Sequence, residues 1–294
     1  MTDGVKIMGI INVTPDSFYS GSRCCGSDGN PDCDLLRSRI SKALDEGADI
    51  IDIGACSTRP GSDYVSFEEE WARLLPALRI ARSLLPGRNI SVDTFRSDIV
   101  SRTYDEIGPF IVNDISAGEE DSSMLPLVGR LGLGYVAMHK RGTPSRMQSL
   151  TEYHSPEGGG CFALESAAES PRQLSPVTLS LLEYFREFGR KAEENGITDW
   201  ILDPGFGFAK TVEQNYRLLS ELSAFRQLGR PILVGVSRKS MIYRPLGLTP
   251  EDCLAPTQVL NLVALQGGAS ILRVHDVAPA VHTLSLHRLL GENL

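Results

Sequence analysis

The sequence predicts a single (β/α)8 TIM barrel domain over residues 1–294, and three observations carry that prediction. Short apolar runs rich in Val and Ile recur along the chain, amphipathic segments separate them, and the length suits one such barrel. The runs occupy residues 5–11, 49–53, 89–93, 110–113, 134–138, 200–203, 231–236 and 270–274. They lack the in–out alternation of a half-exposed strand, so they read as parallel strands buried on both faces. Between them, residues 35–44, 67–84, 98–107 and 179–195 repeat apolar side chains at helical spacing. Thr249-Pro250-Glu251-Asp252 supplies an N-cap, then a proline, then acids for a first helical turn. A doubly wound open sheet is the rival arrangement, because it is built from the same units. Residues 148–175 break the rhythm: they contain Gly158-Gly159-Gly160 and little periodicity, and read as an insertion after the fifth strand.

Charge and composition narrow the function. Lys and Arg total 29 against 37 Asp and Glu, a net charge of -8. That excess repels nucleic acid and anionic membrane, so neither is an expected partner. An anionic small molecule must then be held by a few placed cations. Met1-Thr2-Asp3-Gly4 has neither the basic nor the apolar character of a secretory signal, and no apolar run is long enough to span a bilayer. A cytoplasmic protein is expected. Cys24, Cys25, Cys33, Cys56, Cys161 and Cys253 form no CxxC pair, so reduced thiols fit better than a zinc site or a disulfide framework.

Nearly every predicted strand is followed at its C-terminal end by polar residues that packing does not require. In order they are Asn12, Thr58-Arg59, Asp93, Asn113-Asp114, His139, Asp203, Lys239, and Arg273 with His275. In a barrel these positions meet at one mouth. Each alone has an ordinary explanation, such as a helix cap at Asn12 or Asp93, or a loop position at His139. Their recurrence at equivalent places points to a site. Arg273 and His275, two apart at a strand end, suit an anion such as phosphate or diphosphate. Asp203 precedes Pro204-Gly205-Phe206-Gly207-Phe208-Ala209-Lys210, where glycines allow close approach and a carboxylate can accept paired donors from a flat heterocycle. Ser237-Arg238-Lys239-Ser240 leads into Met241-Ile242 and suits a carboxylate or carbonyl oxygen, but lacks the glycines of a P-loop.

Taken together, several stretches resemble the dihydropteroate synthase family. They are Met8-Gly9-Ile10-Ile11-Asn12-Val13-Thr14-Pro15-Asp16-Ser17-Phe18, Ser57-Thr58-Arg59-Pro60-Gly61, Ser91-Val92-Asp93-Thr94, Val112-Asn113-Asp114-Ile115-Ser116, residues 138–144 and 203–210, Ser237-Arg238-Lys239-Ser240 and Arg273-Val274-His275-Asp276. The first two are the most specific. The resemblance implies Mg²⁺-assisted condensation of 6-hydroxymethyl-7,8-dihydropterin diphosphate with 4-aminobenzoate. It places Asp93, Asn113, Ile115, Asp203 and Lys239 on the pterin, with Met138 and Phe208 as walls. It puts Asn12, Thr58, Arg59, Arg273 and His275 on the diphosphate, Asn12 also on the metal, and Phe18, Pro60 and Ser240 on the aminobenzoate. Asp93, Lys239, Arg273 and His275 become the catalytic set, with no protein nucleophile required, and a homodimer through barrel-face helices is implied. Two residues depart from the family pattern: Cys56 stands where many relatives carry Glu, and Ala209 replaces a common Gly. The rival functions are a pterin-binding methyltransferase on the same barrel and a non-catalytic pterin-binding barrel. The methyltransferase would need neither of the first two motifs nor the Lys239-Ser240 pair, and the non-catalytic barrel would be expected to lose Arg59, Arg273 or His275, all of which are present.

Overall fold

The computed structural model describes residues 4–14, 24, 31–56, 65–85, 89–142, 150–153 and 173–292. In chain order these residues form β1 (Lys6–Asn12), α1 (Cys33–Asp45), β2 (Ile50–Gly54), α2 (Phe67–Leu84), β3 (Ile90–Asp93), α3 (Ser97–Ile107), β4 (Ile111–Asp114) and α4 (Met124–Leu131). They continue with β5 (Gly134–Met138), α5 (Pro176–Glu194), β6 (Trp200–Asp203), α6 (Val212–Ser220), β7 (Leu233–Val234), α7 (Ser240–Leu246), α8 (Leu254–Gly267), β8 (Ile271–Val274) and α9 (Val277–Glu292).

All the strand pairs are parallel, in the order β6-β5-β4-β3-β2-β1-β8-β7. A parallel bridge between Leu202 and Ile232 joins the two ends of that order, with the Leu202 N–H donating to the Pro231 carbonyl at 3.0 Å. This closure excludes the open doubly wound sheet. The β7 ladder is shorter than the predicted 231–236 run. Pro231 has no N–H to donate, and beyond Val234 the chain heads toward a left-handed turn at Arg238, where φ is 54°.

Local signals account for the helix starts. Asp32 caps α1 by accepting from the Leu35 N–H at 3.0 Å, and Ser66 caps α2 through the Glu69 N–H at 3.2 Å. At α5 the helix begins at Pro176, ahead of the apolar spacing that predicts 179, because Ser175 and a proline at its first position make a helix start. Thr249 and Asp252 form a reciprocal capping box, as their order predicts, though the turn they open is a 3-10 turn that runs into α8.

The helices pack on the outside of the barrel in one large apolar cluster, which includes Leu36, Ile40, Leu74, Leu78, Leu181 and Phe185. A separate layer fills the interior: Met8, Ile50, Val136, Ile201, Leu233 and Ile271, with Ile111 against them. Side chains alternate along a strand, so the next inward position on each strand lies two residues on. Those residues include Asp52, Asn113, Met138, Asp203, Gly235 and Arg273. A polar layer therefore sits directly on the apolar plug, toward the C-terminal ends of the strands. Among the described residues no helix is long and apolar enough to cross a membrane.

Candidate active site

The centre of the polar layer is a residue that the strand-end pattern passes over. Asp52 lies in the middle of β2, with no exposure to solvent. A carboxylate buried this way must collect donors or lose its charge. Asp52 collects three: the Ser91 hydroxyl at 2.6 Å, the Asn113 Nδ2 at 3.2 Å and the Arg273 Nε at 2.7 Å. Arg273 also reaches Asp93, its Nη2 lying 2.8 Å from Asp93 Oδ2. One guanidinium thus serves two carboxylates contributed by β2 and β3. Burial works against the charge on Arg273, but Asp52 and Asp93 outweigh it and hold its pKa above the ordinary value. Burial pushes Asp93 up to about 7; Arg273 opposes that rise, and Asp52, Glu70 and Asp114 add to it.

A second cluster surrounds the end of β6. Asp203 Oδ1 accepts the Gly205 N–H at 2.8 Å, and burial raises its pKa against the pull of Lys239. Lys239 donates to the Phe206 carbonyl at 2.8 Å, with its Nζ 4.9 Å from the centre of the Phe208 ring. Burial lowers its pKa to about 8, with Asp203 opposing. The loop that carries Phe206 and Phe208 is held from beneath. Lys210 Nζ donates to the carbonyls of Gly205 at 3.0 Å and Phe208 at 3.1 Å, and lies 3.2 Å from His139 Nδ1. Gly205 is itself required: its φ is 69°, and a Cβ there would sit 2.0 Å from the His139 carbonyl oxygen. Phe95, Ile115 and Met138 form a small apolar cluster of their own, with Cys56 and Phe208 packed against it. A flat ring entering this end would meet carbon from that cluster and carboxylate from Asp203 and Asp93.

The structure sorts the predicted site residues. Asp93, Asn113, Met138, Asp203, Lys239 and Arg273 converge, and Ile115 and Phe208 join the apolar cluster beside them. Asp114 does not converge. It faces away, accepting from Tyr135, Ser116 and Gly118 in a buried turn. His139 is buried and serves the Lys210 loop, its pKa driven well down by burial and then by Lys210. His275 lies one residue past β8, its backbone N–H donating to Ser237 Oγ at 3.3 Å; burial and Arg273 push its pKa down to about 3. Burial and the neighbouring Arg273 both favour the neutral form of its imidazole, which meets an anion by hydrogen bonding. Arg238 turns away from the mouth, bonding Asp276 through Nε at 2.8 Å and the Pro250 and Glu251 carbonyls. Ser240 begins α7, with Lys239 as its N-cap. Asn12 ends β1 in register with Gly54. Phe18, Thr58, Arg59 and Pro60 lie outside the described residues.

Asp52, Lys210 and the buried Glu70, which accepts from Thr94 at 2.8 Å and pairs with Arg96, are absent from the strand-end pattern. A charged residue inside an apolar strand is the signal that finds Asp52. The opposite end of the barrel also holds a cavity, of about 670 Å³, lined by strand starts such as Lys6, Ile50, Ile111 and Ile271, with Asp199.

The chain matches the family described as pterin binding enzyme over residues 8–159 and 162–275. It is 35% identical over 282 residues to the dihydropteroate synthase of Escherichia coli, covering 95% of this chain and 89% of that one. It is 36% identical to a folic acid synthesis protein of Pneumocystis carinii and 37% identical to a mitochondrial folate synthesis bifunctional protein of Arabidopsis thaliana. Both alignments cover 92% of this chain, which spans only 34% and 47% of those longer proteins. A Yersinia pestis dihydropteroate synthase in complex with a sulfonamide drug is similar in structure with a TM-score of 0.83 and 30% identity, covering 100% of this chain and 96% of that one. A Thermus thermophilus dihydropteroate synthase in complex with 4-aminobenzoate gives 0.78 and 31%, covering 99% and 96%. One from Coxiella burnetii in complex with pteroic acid gives 0.78 and 30%, covering 99% and 94%.

Proposed function

The chain belongs to the pterin binding enzyme family, and on that premise we propose that it is a transferase of folate biosynthesis. It joins 6-hydroxymethyl-7,8-dihydropterin diphosphate to 4-aminobenzoate, giving 7,8-dihydropteroate and diphosphate. The observation that carries this reading is the composition of one mouth: buried and half-buried carboxylates, an apolar cluster and two half-buried cations meet at the strand ends. A pterin has a flat apolar face and an edge of paired N–H donors. Asp203, Asn113 and Lys239 bond that edge, while Ile115, Met138 and Phe208 cover the faces.

Chemistry at the pterin methylene requires diphosphate to leave from a carbon attacked by a weak aromatic amine. Arg273, His275, Asn12, Thr58 and Arg59 receive the diphosphate, and the ionised Asp93 stabilises positive charge as it develops on the ring system. Phe18, Pro60 and Ser240 hold the aminobenzoate. No nucleophile is needed.

Mg²⁺ fits this mouth as the partner of the diphosphate. Asn12 supplies one amide oxygen, and among the described residues no three His, Cys, Asp or Glu side chains group to hold a cation by themselves. Such a donor set suits a cation that keeps water and substrate oxygens. When bound, it supplies neutralisation of the leaving group.

An acidic barrel acting on small charged molecules fits the cytoplasm. We also assign the outer face of α8 and α9 to a homodimer, because Val259, Leu286, Leu289 and Leu290 are each more than half exposed. The test of function is product formation. With both substrates and Mg²⁺, the protein should yield 7,8-dihydropteroate and diphosphate in equal amounts by chromatography and mass. Absence of both products from folded protein, or methyl transfer from methyltetrahydrofolate instead, overturns the proposal.

A further inference from the structure

We propose that Asp52 is a positioning residue of the pterin site: its buried carboxylate fixes the orientation of the Asn113 amide and the rotamer of Arg273. Specificity for the pterin edge then depends on a residue lying beneath that edge. This inference rests on the pterin reading of the mouth.

The geometry leaves Asp52 little choice. It lies one inward step before Gly54, in register with Ser91 on β3, while Gly54 pairs with Asp93 and Asp93 pairs with Asn113. Asp52 therefore shares the inner polar layer with Asn113 and Arg273, and lies one inward step deeper than Gly54 and its partner Asp93. It is wholly buried, and its side-chain partners among the described residues are donors: Ser91 Oγ, Asn113 Nδ2 and the Arg273 guanidinium.

An ionised carboxylate can only accept, whereas a primary amide can present either its oxygen or its nitrogen to a neighbour. Asn113 Nδ2 lies 3.3 Å and 3.2 Å from the two Asp52 oxygens. Turning the amide over would set an oxygen against a buried carboxylate, two acceptors face to face with no proton between them. The amide is thereby locked in one orientation before any ligand arrives. Arg273 is held in the same way, with Nε and Nη2 2.7 Å and 2.6 Å from Asp52 Oδ2, and Nη2 also on Asp93. Two groups that meet the ligand thus have their polarity and direction set by one group that does not. A site whose donors and acceptors cannot exchange places rejects a ring with the complementary pattern altered.

The experiment compares a pterin with its lumazine analogue, in which the 2-amino donor is replaced by a carbonyl acceptor. Dissociation constants of 6-methylpterin and 6-methyllumazine are measured calorimetrically for the unaltered protein, Asp52→Asn and Ser91→Ala. The unaltered protein should prefer the pterin. Asp52→Asn, whose own amide can adapt to either orientation of Asn113, should reduce that preference by about tenfold or more. Ser91→Ala removes a donor from the same carboxylate without changing its polarity, and should keep the preference. An unchanged preference in Asp52→Asn overturns the inference, whereas failure of the unaltered protein to bind the pterin overturns the functional reading beneath it.

A second measurement does not depend on the folding of Asp52→Asn. The Asn113 side-chain amide signal, identified by its loss in Asn113→Ser, should exchange slowly with water in the ligand-free protein because Asp52 holds it. Fast exchange that becomes slow only when pterin is added would show that the ligand, not Asp52, orients the amide.

Discussion

Replacing Asp203 with Asn alters one atom and reverses the polarity of one end of the side chain. In the structure Asp203 is buried, its Oδ1 fixed by the Gly205 N–H at 2.8 Å. An Asn that keeps this bond with its carbonyl oxygen must present its NH2 group to the ligand. Paired N–H donors on a pterin edge then face a donor, and a charge-assisted pair of bonds is lost. Losses of this kind cost roughly 2–5 kcal/mol. That corresponds to a rise in Kd of about 30-fold to a few thousand-fold. Folding should survive, because the substitution removes a desolvated carboxylate whose pKa burial already raises. Calorimetry with an unreactive pterin, beside a thermal melt of each protein, gives both quantities. Unchanged affinity in the folded variant would refute the reasoning, since among the described residues no other buried carboxylate lies at the end of β6.

Three further outcomes follow from the same geometry. The kcat/KM profile should fall below about pH 7, as Asp93 gains a proton and can no longer stabilise a cation, and above about pH 8, as Lys239 loses one; a flat profile from pH 6 to 9 would contradict both roles. Gly205→Ala forces a Cβ to within 2.0 Å of the His139 carbonyl at a φ of 69°, so urea unfolding should show a loss of about 2–4 kcal/mol. A variant as stable as the parent would mean that the loop is built differently. Replacing residues 155–172 with a short Gly-Ser linker should leave kcat/KM within roughly tenfold. That segment lies outside the described residues, and the replacement keeps the chain just before it, where Tyr153 donates to the Ala209 carbonyl at 3.0 Å and Thr151 accepts from Gln214 at 2.7 Å. Loss of several orders of magnitude in a folded variant would make the segment a lid.

Much of this is legible in the chain itself, for physical reasons. Parallel strands buried on both faces cannot carry polar residues cheaply, so residues 134–138 and 200–203 stand out as apolar runs and coincide with β5 and β6. Strand ends gather polar groups because the mouth is where backbone and side chains meet ligand, which makes Asp93, Asn113, Asp203, Lys239 and Arg273 visible together. What escapes are charges whose partners are remote in sequence. Asp52 reads as an interruption in an Ile-rich strand until Arg273, 221 residues away, is brought beside it. Glu70 follows Glu68 and Glu69 on a helix start, and nothing in that acidic triplet marks the one that is buried. The downward shift of the His275 pKa is likewise a product of the folded environment, set by burial and by Arg273 beside it. Periodicity alone does not place the beginning of α5 either, since the residues that start it are a cap and a proline.

The central claim is that the pterin ring sits at the strand ends, on the polar layer above the apolar plug. A crystal structure of the protein with an unreactive 6-substituted pterin and diphosphate tests it most directly. The ring should lie between Met138 and Phe208 with its edge on Asp203 and Asn113, and the diphosphate should lie toward Arg273 and His275. A pterin found instead in the cavity at the other end of the barrel, against Lys6 and Asp199, would contradict the account.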